Sequence, residues 1–171
     1  MTNHLSILGI IHTAISILAL LVAFFALFKT GKINPVKTTG KLYVWLTVIT
    51  CLTALPIMKT GHLTAGHPLA IIILLILPIA IYAPSIKLLK KHADDVQTIL
   101  MSFTLFLSMI PGTIETLTRL PISHPLAADP ADPTAKTGLG IVFIFFITGV
   151  TYQVIKIRMR KRNVIPATLV K

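Results

Sequence analysis

Residues 5–28 read LSILGIIHTAISILALLVAFFALF, and residues 29–41 read KTGKINPVKTTGK. The first stretch contains no Asp, Glu, Lys or Arg, whereas the second contains four lysines. An apolar segment of about 20 residues is long enough to cross the hydrocarbon layer of a membrane as an α-helix. Lysines beside such a segment remain on the cytoplasmic side. This part of the chain therefore predicts a membrane-spanning helix whose C-terminal end faces the cytoplasm.

Four further apolar segments follow along the chain, at residues 42–58, 68–86, 96–117 and 139–155. The chain has 171 residues, of which 54% are hydrophobic and 12% are charged. Five spanning segments in so short a chain leave no polar surface for a soluble fold. We therefore predict an all-α fold, a polytopic transmembrane bundle of five helices that forms one membrane domain over residues 1–171.

The basic residues are sorted between the two ends of the predicted bundle. Thirteen of the 16 Lys and Arg residues lie in the first connection, the third connection and the C-terminal segment. The positive-inside rule places these segments in the cytoplasm and the N-terminus outside, in the cytoplasmic (inner) membrane of a bacterium. Because this orientation accounts for the net charge of +11, we predict no nucleic-acid partner.

Two segments outside the predicted helices have distinct compositions. Residues 119–137 contain four prolines and a repeated Asp-Pro, which predict an outer loop without a continuous helix. Residues 156–171 carry six basic side chains and are predicted to form a cytoplasmic tail. Anionic lipid headgroups attract each such cation by about 1 kcal/mol. The predicted partners are therefore the lipid bilayer and its anionic headgroups, together with other membrane subunits or a second copy of the chain.

Four aromatic side chains lie near the predicted cytoplasmic ends of the helices: Tyr43, Trp45, Tyr82 and Tyr152. Amphipathic rings favour the level of the lipid headgroups. We therefore expect all four at the inner surface of the membrane.

Small and weakly polar residues recur at helical spacing in three of the apolar segments. Such residues let membrane helices approach closely and hydrogen-bond across the contact. We expect these three faces to pack together; they comprise His12, Ser16, Ala19, Ala23 and Ala26, then Thr47, Cys51 and Ala54, then Ser108, Gly112, Glu115 and Arg119.

Ionisable residues on the outer side of the predicted bundle form the candidate site. His12 lies about 10 Å inside the outer end of the first helix, at a depth similar to that of Glu115 on the fourth. A charged group costs about 2.5–3.5 kcal/mol at the centre of a membrane helix, so each such residue needs a partner or a function. Three more histidines lie on the same side, namely His62, His67 and His124.

Neutral imidazole is the commonest protein ligand of zinc, copper and haem iron. Two imidazoles from different helix ends can hold a haem b, while Arg119 or Lys59 neutralises a propionate. The candidate cofactor site is therefore formed by His12, His67 and Arg119. The candidate site for a divalent metal is drawn from His12, His62, His67, Glu115 and His124.

Structural roles account for the same residues. Arg119 follows Glu115 by four positions, so the two can pair within one helix, and a neutral His12 can hydrogen-bond Ser16, a carbonyl or water.

Three functions therefore stay open. They are membrane electron transfer through haem or quinone, a non-catalytic accessory subunit or assembly factor of a larger complex, and a proton-linked carrier that moves at Pro111-Gly112.

Four short motifs lie between His12 and Pro121: HTA followed by LAL from His12, GKLYV from Gly40, HPLA from His67 and RLP from Arg119. In these motifs the chain resembles a family of bacterial membrane proteins described as a domain of unknown function. The resemblance covers about two thirds of the chain. It implies a multi-helix membrane architecture and draws attention to His12 and His67, and it implies no established reaction.

Overall fold

A computed structural model describes residues 6–57 and 66–168, with side chains as far as residue 162. These residues form two short 3-10 helices, Ala83–Ser85 and Lys90–His92, and five α-helices. The predicted all-α fold with five helices is confirmed. The α-helices are α1 (Ile7–Thr30), α2 (Thr38–Ala54), α3 (Gly66–Tyr82), α4 (Ala93–Arg119) and α5 (Pro133–Thr168).

Among the residues that the structure describes, four segments are long and apolar enough to cross a membrane. They are α1, α3 with the turn after it (Gly66–Ser85), α4 with the turn before it (Lys90–Arg119) and most of α5 (Pro133–Arg162). The remaining helix, α2, has 17 residues. Four such segments in one chain are typical of a polytopic membrane protein.

The ends of α1 are determined by one hydroxyl and one glycine. The Ser6 hydroxyl accepts a hydrogen bond from the Gly9 N–H at 3.1 Å, which caps the first turn. Gly31 follows the last turn with a φ of 76°, and its N–H donates to the Leu27 carbonyl at 2.7 Å. A left-handed residue at this position favours glycine because it has no Cβ. The helix therefore ends two residues later than the predicted 5–28.

Prolines end α2 and α3 earlier than predicted. The apolar segment 42–58 predicts a helix to residue 58, but α2 ends at Ala54 because Pro56 has no N–H for a helical hydrogen bond. In the same way α3 ends at Tyr82, before Pro84, rather than at residue 86. The carbonyls freed at the end of α3 accept from the Gln97 amide of α4, at 3.1 Å for Ala80 and 3.3 Å for Ile81.

The helix α5 is longer than predicted at both ends. It begins at Pro133, a residue suited to the first helical position, so the predicted loop 119–137 is wrong in its last five residues. It also continues through the basic residues 156–162 to Thr168, where a tail was predicted. Lys and Arg favour helix, and no glycine interrupts the segment after Gly149. The neighbouring α4 likewise exceeds the predicted 96–117.

Each helix packs mainly against its neighbours in sequence, most closely α1 with α2, α4 with α5, and α3 with α4. Small residues dominate the buried face of α1, which allows the close approach of α2. The buried side chains of this pair are Ala19, Ala23 and Ala26 of α1 and Tyr43, Thr47 and Cys51 of α2.

Tyr43 is buried inside the bundle and does not present its ring to the surroundings of the helices. Its side chain is 0% exposed, and its hydroxyl lies 3.0 Å from the Thr104 hydroxyl of α4. A buried phenol needs a hydrogen-bond partner, and Thr104 supplies it. The other three aromatic residues of the predicted belt, Trp45, Tyr82 and Tyr152, are exposed.

Aromatic rings and one polar pair join α4 to α5. The ring of Phe146 lies 4.9 Å from that of Phe106 and 5.7 Å from that of Phe103, measured between centroids. Further along the contact, the Ser102 hydroxyl donates to the Gln153 side-chain carbonyl at 2.8 Å. Both of these side chains are buried, so the pair fixes the rotation of α5 about its axis.

The helix termini gather in two groups. The lysine-rich end consists of residues 29–41, residues 83–92 and residues 156–162, and Asp94 lies 3.9 Å from Lys32 and 3.7 Å from Lys161 there. The histidine end contains the start of α1, the end of α2 and the start of α3, which meet through His12 and His67. All candidate site residues that the structure describes lie toward the histidine end.

Candidate functional site

His12 lies on α1 and contacts the last turn of α2. Its ring nitrogen Nδ1 is 3.1 Å from the Thr53 hydroxyl. That hydroxyl also lies 2.9 Å from the Ile49 carbonyl and 3.0 Å from the Thr50 carbonyl, and a carbonyl can only accept. The direction of the hydrogen bond between His12 Nδ1 and the Thr53 hydroxyl depends on the tautomer of the ring. Ser16, an expected partner of the ring, instead donates to the backbone carbonyl of His12.

His67 lies in the first turn of α3 and is buried. Its Nε2 is 3.0 Å from the carbonyl of Leu55, the residue that follows α2. Because the carbonyl can only accept, the Nε2–H of His67 is the donor. The last carbonyls of a helix have no partner within the helix, so His67 satisfies a group that would otherwise be unpaired.

The two histidines therefore bind the same end of α2 from opposite neighbours. His12 approaches Thr53 from α1, and His67 approaches Leu55 from α3. In the neutral form His67 donates from Nε2 and keeps Nδ1 as its acceptor nitrogen, whereas the tautomer of His12 decides which group donates in its bond to Thr53. The observed geometry is that of two side chains that tie three helices together.

Glu115 and Arg119 form an ion pair one turn apart on α4. Both side chains are partly exposed. The spacing of four residues allows this ion pair, and each side chain compensates the charge of the other within one helix. Arg119 thus uses its guanidinium for Glu115.

The candidate metal ligands do not gather into a single cluster in the part of the chain that the structure describes. Over residues 6–57 and 66–168, no three His, Cys, Asp or Glu side chains lie close enough to hold a metal ion. His124 is exposed in the loop between α4 and α5, where its backbone N–H donates to the Pro121 carbonyl. His62 and Lys59 lie outside the described residues.

Comparisons with known proteins were made at the level of families, curated sequences and solved structures. None of them matches the chain.

Sequence reasoning missed a second group of interacting residues, at the lysine-rich end. Asp95 is buried, and its carboxylate lies 3.3 Å from Arg158 Nε and 3.9 Å from His92 Nδ1. Lys161 donates to the Lys91 carbonyl at 3.0 Å and lies 3.7 Å from the Asp94 carboxylate. The end of α5 is thereby joined to the start of α4.

The sequence contains a signal for this group. Asp94 and Asp95 stand at the start of α4, where carboxylates favour the positive end of the helix dipole. The basic residues 156–162 contain no glycine or proline, which favours a continued helix. Because consecutive helices of a short-looped bundle run antiparallel, the end of α5 and the start of α4 meet at one end of the bundle.

Proposed function

We propose that the chain is a non-catalytic subunit of a larger assembly in the inner membrane of a bacterium. In this role His12 and His67 hold helices of the bundle together, and Glu115 and Arg119 compensate each other's charge within α4. The exposed apolar helix faces contact lipid and partner subunits. The single observation that carries the proposal is that His12 and His67 both form hydrogen bonds with the end of α2.

The physical reason lies in the cost of unpaired backbone groups in a membrane. Each unsatisfied carbonyl or N–H costs several kcal/mol where no water reaches it. Pro56 ends α2 early, so the last carbonyls of that helix need donors from elsewhere. His67 supplies one of these donors, and His12 holds the last turn of α2 through Thr53.

The proposed orientation has the histidine end outside and the lysine-rich end in the cytoplasm, with five crossings. It is supported by the contacts of Asp94 with Lys32 and Lys161, which join three basic segments at one end of the bundle. Single cysteines introduced into a Cys51→Ala background test it. A membrane-impermeant maleimide applied to intact cells is expected to label Ser123→Cys and to leave Lys37→Cys unlabelled. The reverse labelling pattern contradicts the orientation.

The subunit role predicts a specific oligomeric behaviour. Native mass spectrometry of the protein extracted in mild detergent is expected to show a complex heavier than the 18.6 kDa chain, with defined stoichiometry. A chain that stays monomeric at every detergent concentration, and after chemical cross-linking in its native membrane, contradicts the proposal.

A membrane redox protein is the second candidate. It is favoured by the position of His12 and His67, since two imidazoles from different helices lie against one end of α2. Absorption spectroscopy and elemental analysis of the purified protein separate the two candidates. A Soret band or a stoichiometric metal that disappears in both His12→Ala and His67→Ala supports the redox protein. A colourless protein without stoichiometric metal, destabilised by either substitution, supports the subunit.

A further inference from the structure

The lysine-rich end contains an open cleft of about 550 Å³ between the end of α1, the start of α4 and the last part of α5. This volume lies within the range of small-molecule sites, about 300–1,000 Å³. The charged residues that line the cleft are Lys32, Asp94, Lys156, Arg160 and Lys161, and Thr30 and Gln153 are its uncharged polar residues.

The cleft is strongly positive. Its lining has four cationic side chains and one carboxylate, so its formal net charge is +3. The carboxylate of Asp94 lies 3.9 Å from Lys32 and 3.7 Å from Lys161 and therefore offsets part of their charge. Lys156 and Arg160 form no ion pair with a carboxylate among the described residues. The charge of these two cations is therefore not offset by a carboxylate, although the Lys156 ammonium lies over the ring of Tyr152, 5.5 Å from its centroid.

The helical spacing of α5 places three of the residues that line the cleft on one face of the helix. Gln153, Lys156 and Arg160 follow each other at spacings of three and four, which places them on one face of the helix. The buried hydrogen bond from Ser102 to Gln153 turns this face toward α4. Lys156 also reaches α1, because its Nζ lies 3.7 Å from the position that a Cβ on Gly31 would occupy.

The cleft lies at the level where the helices leave the apolar part of the bundle. The first basic residue of α5 after the predominantly apolar segment that ends at Ile155 is Lys156, and the apolar segment of α1 ends at Phe28, directly before Lys29. Phospholipids carry their phosphate groups at this level. Basic pockets between membrane helices on the cytoplasmic side are a recurring site for anionic headgroups.

We propose that this cleft binds a phosphate group, carried either by the headgroup of an anionic phospholipid or by inorganic phosphate. The guanidinium of Arg160 offers two parallel donors to the phosphate oxygens, and Lys156 and Lys32 act as point charges around them. The site requires the membrane-crossing helices and does not depend on the subunit role, so either proposal can fail while the other stands.

Native mass spectrometry of the delipidated protein tests the proposal, with phosphatidylglycerol and phosphatidylcholine as probes. Phosphatidylglycerol is expected to bind more tightly than phosphatidylcholine. The double variant Lys156→Gln/Arg160→Gln is expected to bind phosphatidylglycerol roughly 20-fold more weakly, since each cation contributes about fivefold. The matched control Lys37→Gln/Lys41→Gln removes two cations at the same end but outside the cleft, and it is expected to bind as the wild type does.

Asp94→Asn gives a test of opposite sign. Removal of this carboxylate leaves Lys32 and Lys161 uncompensated, so phosphatidylglycerol is expected to bind about fivefold more tightly. A variant that is merely less stable cannot show this gain. An unchanged or reduced affinity in Asp94→Asn contradicts the proposal.

Sodium phosphate distinguishes the two sources of the ligand. If it raises the melting temperature of the wild type but not of Lys156→Gln/Arg160→Gln, and displaces phosphatidylglycerol, the ligand is soluble phosphate. If phosphatidylglycerol binds and sodium phosphate neither stabilises nor competes, the ligand is a lipid headgroup. Equal binding of the two lipids without stabilisation by phosphate, or equal phosphatidylglycerol binding by wild type and double variant, overturns the proposal.

Discussion

The hydroxyl of Tyr43 forms a hydrogen bond with the hydroxyl of Thr104 inside the bundle. The two oxygens are 3.0 Å apart, and both side chains are 0% exposed. Thr104 also lies 2.8 Å from the Met101 carbonyl, which accepts from its hydroxyl. This bond connects α2 to α4, two helices that are separated by α3 in the chain.

Tyr43→Phe removes this bond with little change in shape. The free energy of unfolding is expected to fall by about 0.5–1.5 kcal/mol, the usual value of one hydrogen bond. Reversible unfolding in mixed micelles with increasing SDS measures the loss. Tyr152→Phe is the matched control, because Tyr152 is exposed and its substitution is expected to change nothing. Equal effects of the two substitutions contradict a structural role of the Tyr43 hydroxyl.

His67→Ala leaves the Leu55 carbonyl without its donor. We expect a loss of about 1–3 kcal/mol in unfolding free energy, because a buried acceptor then has no partner. His67→Gln, which retains a side-chain N–H donor, is expected to recover part of the loss. His124→Ala serves as the control, since His124 is exposed. If His67→Gln is no more stable than His67→Ala, the hydrogen bond to Leu55 is not the source of the effect.

Asp95 and Arg158 are expected to be coupled. A double-mutant cycle with Asp95→Asn and Arg158→Gln isolates their interaction in the free energy of unfolding. We expect a coupling of about 1 kcal/mol, a modest value because the Arg158 side chain is largely exposed while Asp95 is buried. The same cycle with Arg162 in place of Arg158 is expected to give no coupling. Strictly additive effects of Asp95→Asn and Arg158→Gln rule out the link between α4 and the end of α5.

Gly40→Ala is expected to destabilise the protein by roughly 1–3 kcal/mol, the usual cost of overpacking. A Cβ at this position would overlap the backbone carbonyl of Asn34, and backbone atoms cannot move aside as a flexible side chain can. Gly140→Ala is the matched control, because a Cβ there meets no atom within 4 Å. That control is expected to be neutral or slightly stabilising, since alanine favours helix over glycine. The melting temperatures of both variants test the comparison.

The first turn of α5 depends on pH through Asp132. Its carboxylate accepts from the Ala128 N–H at 3.0 Å and the Thr134 N–H at 2.7 Å, and these bonds lower the pKa of Asp132 below its usual 3.8. A lowered pKa means that the ionised carboxylate stabilises the folded turn at pH values above the usual pKa. This stabilisation is lost as the pH falls from 3.8 through the folded pKa. The backbone amide signals of Ala128 and Thr134 are expected to titrate in that range.

Asp132→Asn is expected to abolish this titration, whereas Asp129→Asn is expected to preserve it. Asp129 accepts from a different backbone group, the Ala131 N–H at 2.6 Å. NMR spectra of labelled protein in detergent micelles measure both variants. A titration midpoint above 3.8 in the wild type contradicts the described capping of α5.

The existence of the helices could be predicted from the apolar segments, and their ends depend on single residues. Gly31, Pro56 and Pro84 end three helices, and each of them is visible in the sequence. The length of an apolar segment alone misplaces these ends, because lipid-facing apolar residues continue past the proline that stops the helix. The extension of α5 was missed because charge was interpreted as the end of the helix, whereas Lys and Arg favour helix.

Side-chain partners across the bundle could be predicted less well. Tyr43 was expected at the headgroups because its own sequence neighbourhood resembles an aromatic belt. Its actual partner, Thr104, is 61 positions away in the chain. The sequence places His12 and His67 at the same end of the bundle. It does not reveal that both contact the end of α2, because neither Thr53 nor the Leu55 carbonyl has a recognisable sequence pattern. The Glu115–Arg119 pair could be read directly from its spacing of four.

The short helix α2 has a consequence for the choice of membrane. With 17 residues it is about 26 Å long, whereas the average hydrocarbon layer is about 30 Å thick. If α2 crosses the membrane as we propose, the shortfall is met by thinning of the lipid, by flanking side chains that reach the interface, or by association with other helices. In that arrangement we expect the protein to favour bilayers with short acyl chains. The thickness of the membrane then acts on the end of α2, where His12 and His67 form their hydrogen bonds.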